Sequence, residues 1–165
     1  MKRIFIFTAL VLFSSICQAQ LGIGDNAPFR LGKLAKSGDE VLIQDYAGKV
    51  TVVMFWATWC DYCYKTLPAM EALQEQLGLS NLQVISIAVK DEPRAVNKIT
   101  AEMKEMSMVS SVDKTGKVAE SFGDDYMPNI WVADRTGKIA GHMTVKDDSD
   151  LIKAIKMIES AVKAK

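Results

Sequence analysis

The sequence predicts an α/β fold in which a central mixed sheet carries helices on both faces, with a β-hairpin extension on its N-terminal side. Three observations lead there. Two runs, VTVVMFWA (50–57) and LQVISIAV (82–89), are nearly continuous in apolar and β-branched residues, as strands buried on both faces are. Each is followed by a stretch whose apolar residues recur at helical intervals. The chain then closes with a strand, a tight turn, a second strand and an amphipathic helix. The order β-α-β-α followed by β-β-α gives a mixed sheet covered on both sides.

The elements follow in order. Pro28, with glycine and aspartate around it, marks a turn, and FRLGKL and EVLIQ, separated by AKSGD, read as a small hairpin. From Cys60 onward the spacing turns helical, with Leu67, Met70, Leu73 and Leu77 on one side and Gly78 as the stop. The second buried run leads into EPRAVNKITAEMKEM (92–106), a helix with Pro93 near its start. SMVSSV is extended, and DKTGKVAESFG is a turn with a short helix. NIWVAD and KIAGHMTV flank the turn RTG as a hairpin. DSDLIKAIKMIESAVK places Leu151, Ile152, Ile155, Ile158 and Val162 on one side of a closing helix.

The chain has 165 residues, 49% of them hydrophobic, with 20 basic and 20 acidic side chains and a formal charge of zero. That balance offers no electrostatic footprint for nucleic acid or an anionic membrane. No internal repeat or low-complexity tract interrupts it, and a monomer is expected.

The first residues have a different character. MKR, then IFIFTALVLFSSI, then CQAQ is the layout of a secretory signal peptide, with a positive start, an apolar stretch and small residues before the cleavage point. Cleavage after Ala19 divides the chain into residues 1–19, the signal, and residues 20–165, one domain. The apolar run is short for a membrane span, which takes about 20 residues. A lipidated Cys17 is disfavoured by the bulky Ile16 before it. Removing residues 1–19 also removes Cys17 and leaves Cys60 and Cys63 alone in a periplasmic or otherwise exported protein, where thiols meet oxidants.

Three chemistries suit a pair of cysteines spaced three apart. A structural zinc site needs four nitrogen or sulfur ligands, and the exported chain offers two cysteines and His142, so no metal is assigned. A purely structural cross-link stabilises by closing a loop in the unfolded chain, and two intervening residues close almost nothing. The third reading, a redox pair, follows from position at a strand-to-helix junction. There unpaired backbone N–H groups and the helix dipole favour an anion, and the thiolate is the nucleophile. Cys60, at or just before the first turn, is expected to attack. Cys63, one turn further in and close enough to bridge, is expected to resolve. The Cys60–Cys63 disulfide itself is then the redox group, with no other cofactor.

At FWATWCDYC (55–63) the chain resembles the thioredoxin-like superfamily, whose active site carries W-C-x-x-C. GDNAPF (24–29), AGKVTVVMFWATWC (47–60) and MPNIWVADRTGKI (127–139) narrow the resemblance to its TlpA/ResA-type, or redoxin, group. The resemblance implies a thioredoxin-like fold and a protein-disulfide reductase or thiol–disulfide interchange enzyme outside the cytoplasm. Its substrates would be protein thiols and disulfides, apocytochrome c before haem attachment among them; the direction is left open, and a membrane electron donor is expected where the protein is a reductant. It further implies that Pro128 is cis and faces the cysteines, and that the Met127 backbone binds substrate as an added strand. Trp59 is expected on the exposed rim and Trp56 in the core.

The chain departs from that group between the cysteines, where Asp61 and Tyr62 stand and proline is common second. Asp61 opposes a thiolate at Cys60, and Tyr62 either covers Cys63 or offers it a hydroxyl. Both are expected to tune the pair. Thr66 stands where relatives carry a glutamate, and Met54 where thioredoxins carry a buried aspartate, so the proton acceptor for Cys63 is not visible. Two other functions compete. One is a copper-handling module using Cys60, Cys63 and His142, since soft thiolates favour Cu(I). The other is a peroxiredoxin-like peroxidase, although its T-x-x-C is absent because Ala57, not Thr58, lies three before Cys60. His142 is read as a satisfied or surface histidine, and the nine methionines as core filler.

Overall fold

The computed structural model describes residues 21–103, 106–123 and 126–164. The expected signal segment lies outside them. The described chain runs β1 (Arg30–Leu34), β2 (Glu40–Leu42), a 3-10 turn (Ile43–Tyr46), β3 (Val50–Trp56), α1 (Cys63–Leu77), β4 (Leu82–Val89), α2 (Pro93–Glu102), β5 (Val109–Asp113), α3 (Lys117–Phe122), β6 (Asn129–Ala133), β7 (Ile139–Thr144) and α4 (Asp148–Lys163).

The seven strands form one mixed sheet in the order β2-β1-β5-β4-β3-β6-β7. β3, β4 and β5 are parallel, joined by helical crossovers, while β6, β7 and the β1–β2 hairpin pair antiparallel. The two runs with near-continuous apolar character are the central strands, and every residue of β3 and β4 is buried. That burial is why neither shows the polar alternation of a half-exposed strand.

Alternation survives in which face each residue serves. Val52, Met54 and Trp56 of β3 point to a cluster completed by Leu67 and Met70 of α1, Val96 of α2, and Leu151, Ala154 and Ile158 of α4. Val53 and Phe55 point the other way, to Phe122 of α3, Trp131 and Leu31. Phe55, Phe122 and Trp131 there meet edge to face, with centroids 5.0 and 5.5 Å apart, the favoured geometry for such rings. Helices thus cover both faces, as expected, and the N-terminal hairpin is added to the β5 edge.

Two helix limits differ from the sequence reading. α2 ends at Glu102 instead of running to Met106. α1 begins at Cys63, not at Cys60, because residues 60–62 form a tight turn. Polar side chains fix the joints. Asp147 caps α4 through the Asp150 amide at 3.0 Å, and Asp113 caps α3 by accepting from the Val118 and Ala119 amides.

The parallel strands end along one edge of the sheet. β3 feeds residues 57–62 there, β4 feeds Lys90 and Asp91, and β6 begins there. Phe55 opposite Asn129 sets Pro128 beside the end of β3.

Candidate active site

Cys60 and Cys63 are joined by a disulfide, with Cα atoms 5.4 Å apart. The turn that carries them is closed by the Cys63 amide donating to the Cys60 carbonyl at 3.0 Å. Cys60 keeps 7% of its surface accessible and Cys63 none, so Cys60 is the accessible sulfur of the pair. Cys63 stands at the first residue of α1, one residue past the Tyr62 that would cap it.

This placement changes the electrostatic expectation. The amides of Cys63, Tyr64 and Lys65 donate to the carbonyls of Cys60, Asp61 and Tyr62 at 3.0 to 3.3 Å. These three N–H groups are therefore already engaged within the turn. The helix dipole, a weaker aid, also acts at this terminus and is opposed by the exposed Asp61.

Around the disulfide, Trp59 is 72% exposed and forms one rim. Tyr64 supports that rim by donating its hydroxyl to the Thr58 carbonyl at 2.8 Å. Across the mouth lie exposed Tyr126, half-buried Met127 and buried Pro128. The Met127–Pro128 peptide is cis, and the Pro128 carbonyl accepts from Val145 at 3.0 Å. Trp56 is fully buried.

Tyr62 does not serve Cys63 as a hydroxyl. It donates instead to Asp148 Oδ1, at the start of α4, at 2.5 Å. That hydrogen bond to a carboxylate, with burial adding to it, pushes the phenol up to about 12. A group held so firmly protonated is no acceptor for a thiol proton. Its ring nonetheless packs against the apolar cluster that includes both cysteines. Lys65 donates to the same Asp148 oxygen at 2.5 Å, and its ammonium lies 5.7 Å from the Tyr62 ring centre.

Two carboxylates escaped the sequence reading. Asp91, buried at the end of β4, accepts from the Thr58 amide at 2.8 Å and from its hydroxyl at 2.7 Å. Asp148 binds Tyr62 and Lys65 from more than eighty residues away. A signal existed for the first: an aspartate two residues after a buried strand that runs parallel to the motif strand must emerge at the same sheet edge. For Asp148 the sequence shows only an acidic helix start.

The positions where relatives carry carboxylates are filled by buried Thr66, which bonds the Tyr62 carbonyl at 3.0 Å, and by buried Met54. His142 stands apart from the cysteines. It stacks on Trp131 with centroids 4.0 Å apart, and its Nε2 meets Asn129 Oδ1 at 2.7 Å. Trp131 belongs to the α3 side of the sheet and the cysteines to the α1 side. The set Cys60, Cys63 and His142 is therefore divided by the sheet. Among the described residues, no group of three His, Cys, Asp or Glu side chains is placed to hold a metal. Thr58, the hydroxyl nearest in sequence to a peroxidatic arrangement, is spent on Asp91.

Comparison with known proteins agrees with this geometry. The Redoxin family model matches residues 23–158. Thioredoxin-like protein YneN of Bacillus subtilis (strain 168) is 30% identical over 150 residues, covering 86% of each chain. Thiol-disulfide oxidoreductase ResA of Geobacillus thermodenitrificans (strain NG80-2) is 28% identical over 141 residues, covering 82% of this chain and 79% of that protein. A crystal structure from Chlorobium tepidum, described as a thiol:disulfide interchange protein DsbE, superposes with a TM-score of 0.77 at 26% identity, over 87% of this chain and 99% of that one. With a W-C-x-x-C disulfide set at the mouth of a thioredoxin-like sheet, the chain belongs to the redoxin family, among its thiol–disulfide oxidoreductases of the ResA type.

Proposed function

We propose that this oxidoreductase works outside the cytoplasm as a reductant of protein disulfides. The Cys60 thiolate attacks one sulfur of a substrate disulfide, forms a mixed disulfide and releases the other substrate sulfur. Cys63 then attacks the Cys60 sulfur, freeing the reduced substrate and closing Cys60–Cys63. Two electrons pass to the substrate, and the two thiol protons of the pair end on its two thiols. The substrate strand lies along the Met127 backbone beside Pro128, with Trp59 as the apolar rim on the other side.

Two features of the turn support the reducing direction. The amides of the first α1 turn are occupied within the turn, and the exposed Asp61 carboxylate adjoins Cys60. Both leave the Cys60 thiolate poorly stabilised. A strong oxidant such as DsbA owes its potential to a stabilised reduced form, which is the opposite arrangement. An exported reductant needs electrons from a membrane donor, since its compartment holds no reducing pool. Among the described residues no helix is long and apolar enough to cross a membrane. An oxidised C-x-x-C-H peptide, standing for apocytochrome c before haem attachment, is the substrate to try first.

The deciding experiment equilibrates residues 20–165 against glutathione or dithiothreitol buffers. A reduction potential near that of thioredoxin, about −270 mV, is expected. A value near that of DsbA, about −120 mV, would make the protein an oxidant or isomerase and end this reading.

A further inference from the structure

Between Lys49 and Lys90 the sequence holds one cation, Lys65. It lies in the first turn of α1, two residues after Cys63, where a positive charge would favour a thiolate at the mouth. The structure turns it elsewhere. Its ammonium donates to Asp148 Oδ1 at 2.5 Å, and the Tyr62 hydroxyl donates to the same oxygen. One carboxylate on α4 thus holds both Tyr62, the second of the two residues between the cysteines, and the one cation of that sequence span, while Lys146 lies over the Tyr126 ring, 5.9 Å from its centre. Asp147 and Asp150 flank it. Asp150 is engaged by Lys153 at 2.9 Å and Asp147 caps α4, which leaves Asp148 to face α1.

We propose that Asp148 is a positioning residue for the redox pair. It draws the Lys65 ammonium to α4 and holds the Tyr62 hydroxyl there, so that Lys65 does not stabilise the Cys60 thiolate and the dithiol form stays costly. This inference rests on the thiol–disulfide reading above and adds the element that sets the potential. The local charges support it: Asp148 is held below the usual carboxylate range by its hydrogen bond from Lys65, then by that from Tyr62. Both side chains of the ion pair are more than half exposed, where such pairs add little to stability. A charge near a reacting sulfur still acts on it at low salt.

The test measures the glutathione equilibrium of the Cys60–Cys63 pair at pH 7 in four full-length exported proteins: wild type, Asp148→Asn, Lys65→Met and the double variant. Asp148→Asn keeps an oxygen for Tyr62 but frees Lys65. It should move the equilibrium about threefold to tenfold toward the dithiol, where tenfold corresponds to about 30 mV. Lys65→Met leaves Asp148 unopposed and should move it the other way. The double variant should return to within about twofold of wild type. Both single shifts should shrink in 1 M salt, where the screening length falls to about 3 Å. Iodoacetamide alkylation of Cys60 at pH 7 should accelerate in Asp148→Asn alone. A merely structural role would change the thermal midpoint and leave these opposite signs unseen. Equal potentials in all four proteins, or two single shifts of the same sign, would overturn the proposal. The two readings fail separately: wild-type protein with an oxidant's potential defeats the reductant, while the sign pattern among variants decides the role of Asp148.

Discussion

Asp91 holds Thr58 by two hydrogen bonds, its Oδ2 accepting from the amide at 2.8 Å and its Oδ1 from the hydroxyl at 2.7 Å. The two residues are 33 apart in sequence and meet because β3 and β4 run parallel in register, with Trp56 opposite Ala88. Thr58 lies in the segment 57–62 that carries Cys60, so this clasp anchors that segment to the end of β4. Asp91→Ala strips a charged acceptor from two donors and should cost about 1.5–3 kcal/mol of stability. It should also slow disulfide exchange with a peptide, because Trp59 and Cys60 lose their fixed approach. Thr58→Val removes only the hydroxyl bond and should cost about 1 kcal/mol. Urea melts and stopped-flow exchange rates check both. An unchanged exchange rate in Asp91→Ala would remove the clasp from the account of the site.

Glu71 makes a comparable clasp away from the mouth. Its carboxylate is buried on α1 and accepts from the Ser107 amide at 2.6 Å, the Ser107 hydroxyl at 2.5 Å and the Met108 amide at 3.0 Å. It therefore ties α1 to the approach to β5. Glu71→Ala should lose about 2–4 kcal/mol, because three donors are left without their charged acceptor. Its reduction potential should match wild type, since none of these bonds involves the turn at 60–63. The comparison with Asp91→Ala separates loss of fold from loss of site.

Gly32 predicts a backbone effect. It sits in β1 at φ +87°, and a Cβ placed there would meet Ser111 Oγ at 2.5 Å and the Val112 carbonyl oxygen at 2.8 Å. The hydroxyl could turn aside, but the carbonyl belongs to β5, to which β1 is paired. Gly32→Ala therefore carries a left-handed penalty of about 1–2 kcal/mol together with displacement of the β1–β5 joint. A fall in the denaturation midpoint is expected, with faster amide exchange in residues 30–34. Gly38→Ala has the same backbone sign, φ +82°, but open space around it, so it should show the backbone penalty alone.

The central strands, the helix order and the cysteine pair were legible because each is a local pattern. Val50 to Trp56 is apolar at every position, and that reports burial on both faces without reference to anything distant. The C-x-x-C spacing likewise carries its own geometry. What stayed hidden depends on side chains brought together by topology. Asp148 reads as an ordinary acidic residue in a first helical turn, and its bonds to Tyr62 and Lys65 arise only once α4 packs beside α1. From its place between the cysteines Tyr62 has two roles open to it, and the structure removes the hydroxyl role because that proton is donated to Asp148. The helix begins three residues later than the sequence suggests, for a related reason. Periodicity locates the apolar stripe from Leu67 onward, but it does not show that residues 60–62 turn tightly before the helix begins.

The order of attack is testable with serine variants. Cys63 is fully buried and Cys60 is the accessible sulfur. Cys63→Ser should therefore stall after the first step and accumulate a mixed disulfide between Cys60 and a disulfide-bonded peptide, visible by mass. Cys60→Ser should trap nothing at comparable times. Trapping through Cys63 at an equal rate would reverse the assigned roles.

Tyr62 gives the pH prediction, and its sign follows from which form the fold prefers. The phenol is raised to about 12 from 10.0, first by its hydrogen bond to Asp148 and then by burial. The folded protein therefore holds this proton more tightly than the unfolded chain. The resulting stabilisation is complete below pH 10 and is lost as pH rises toward 12. Asp148 has the opposite sense: its lowered carboxylate, bonded first by Lys65 and then by Tyr62, stabilises above the unfolded value of 3.8 and loses that contribution as pH falls below it. Ultraviolet titration of phenolate absorbance should show one tyrosine ionising near pH 12 that disappears in Tyr62→Phe. In Asp148→Asn that midpoint should drop toward 10, because an amide oxygen leaves no negative charge to oppose the phenolate. If the late transition persists unchanged in Asp148→Asn, the bond between Tyr62 and Asp148 does not form in solution, and Tyr62 is again available to the cysteines.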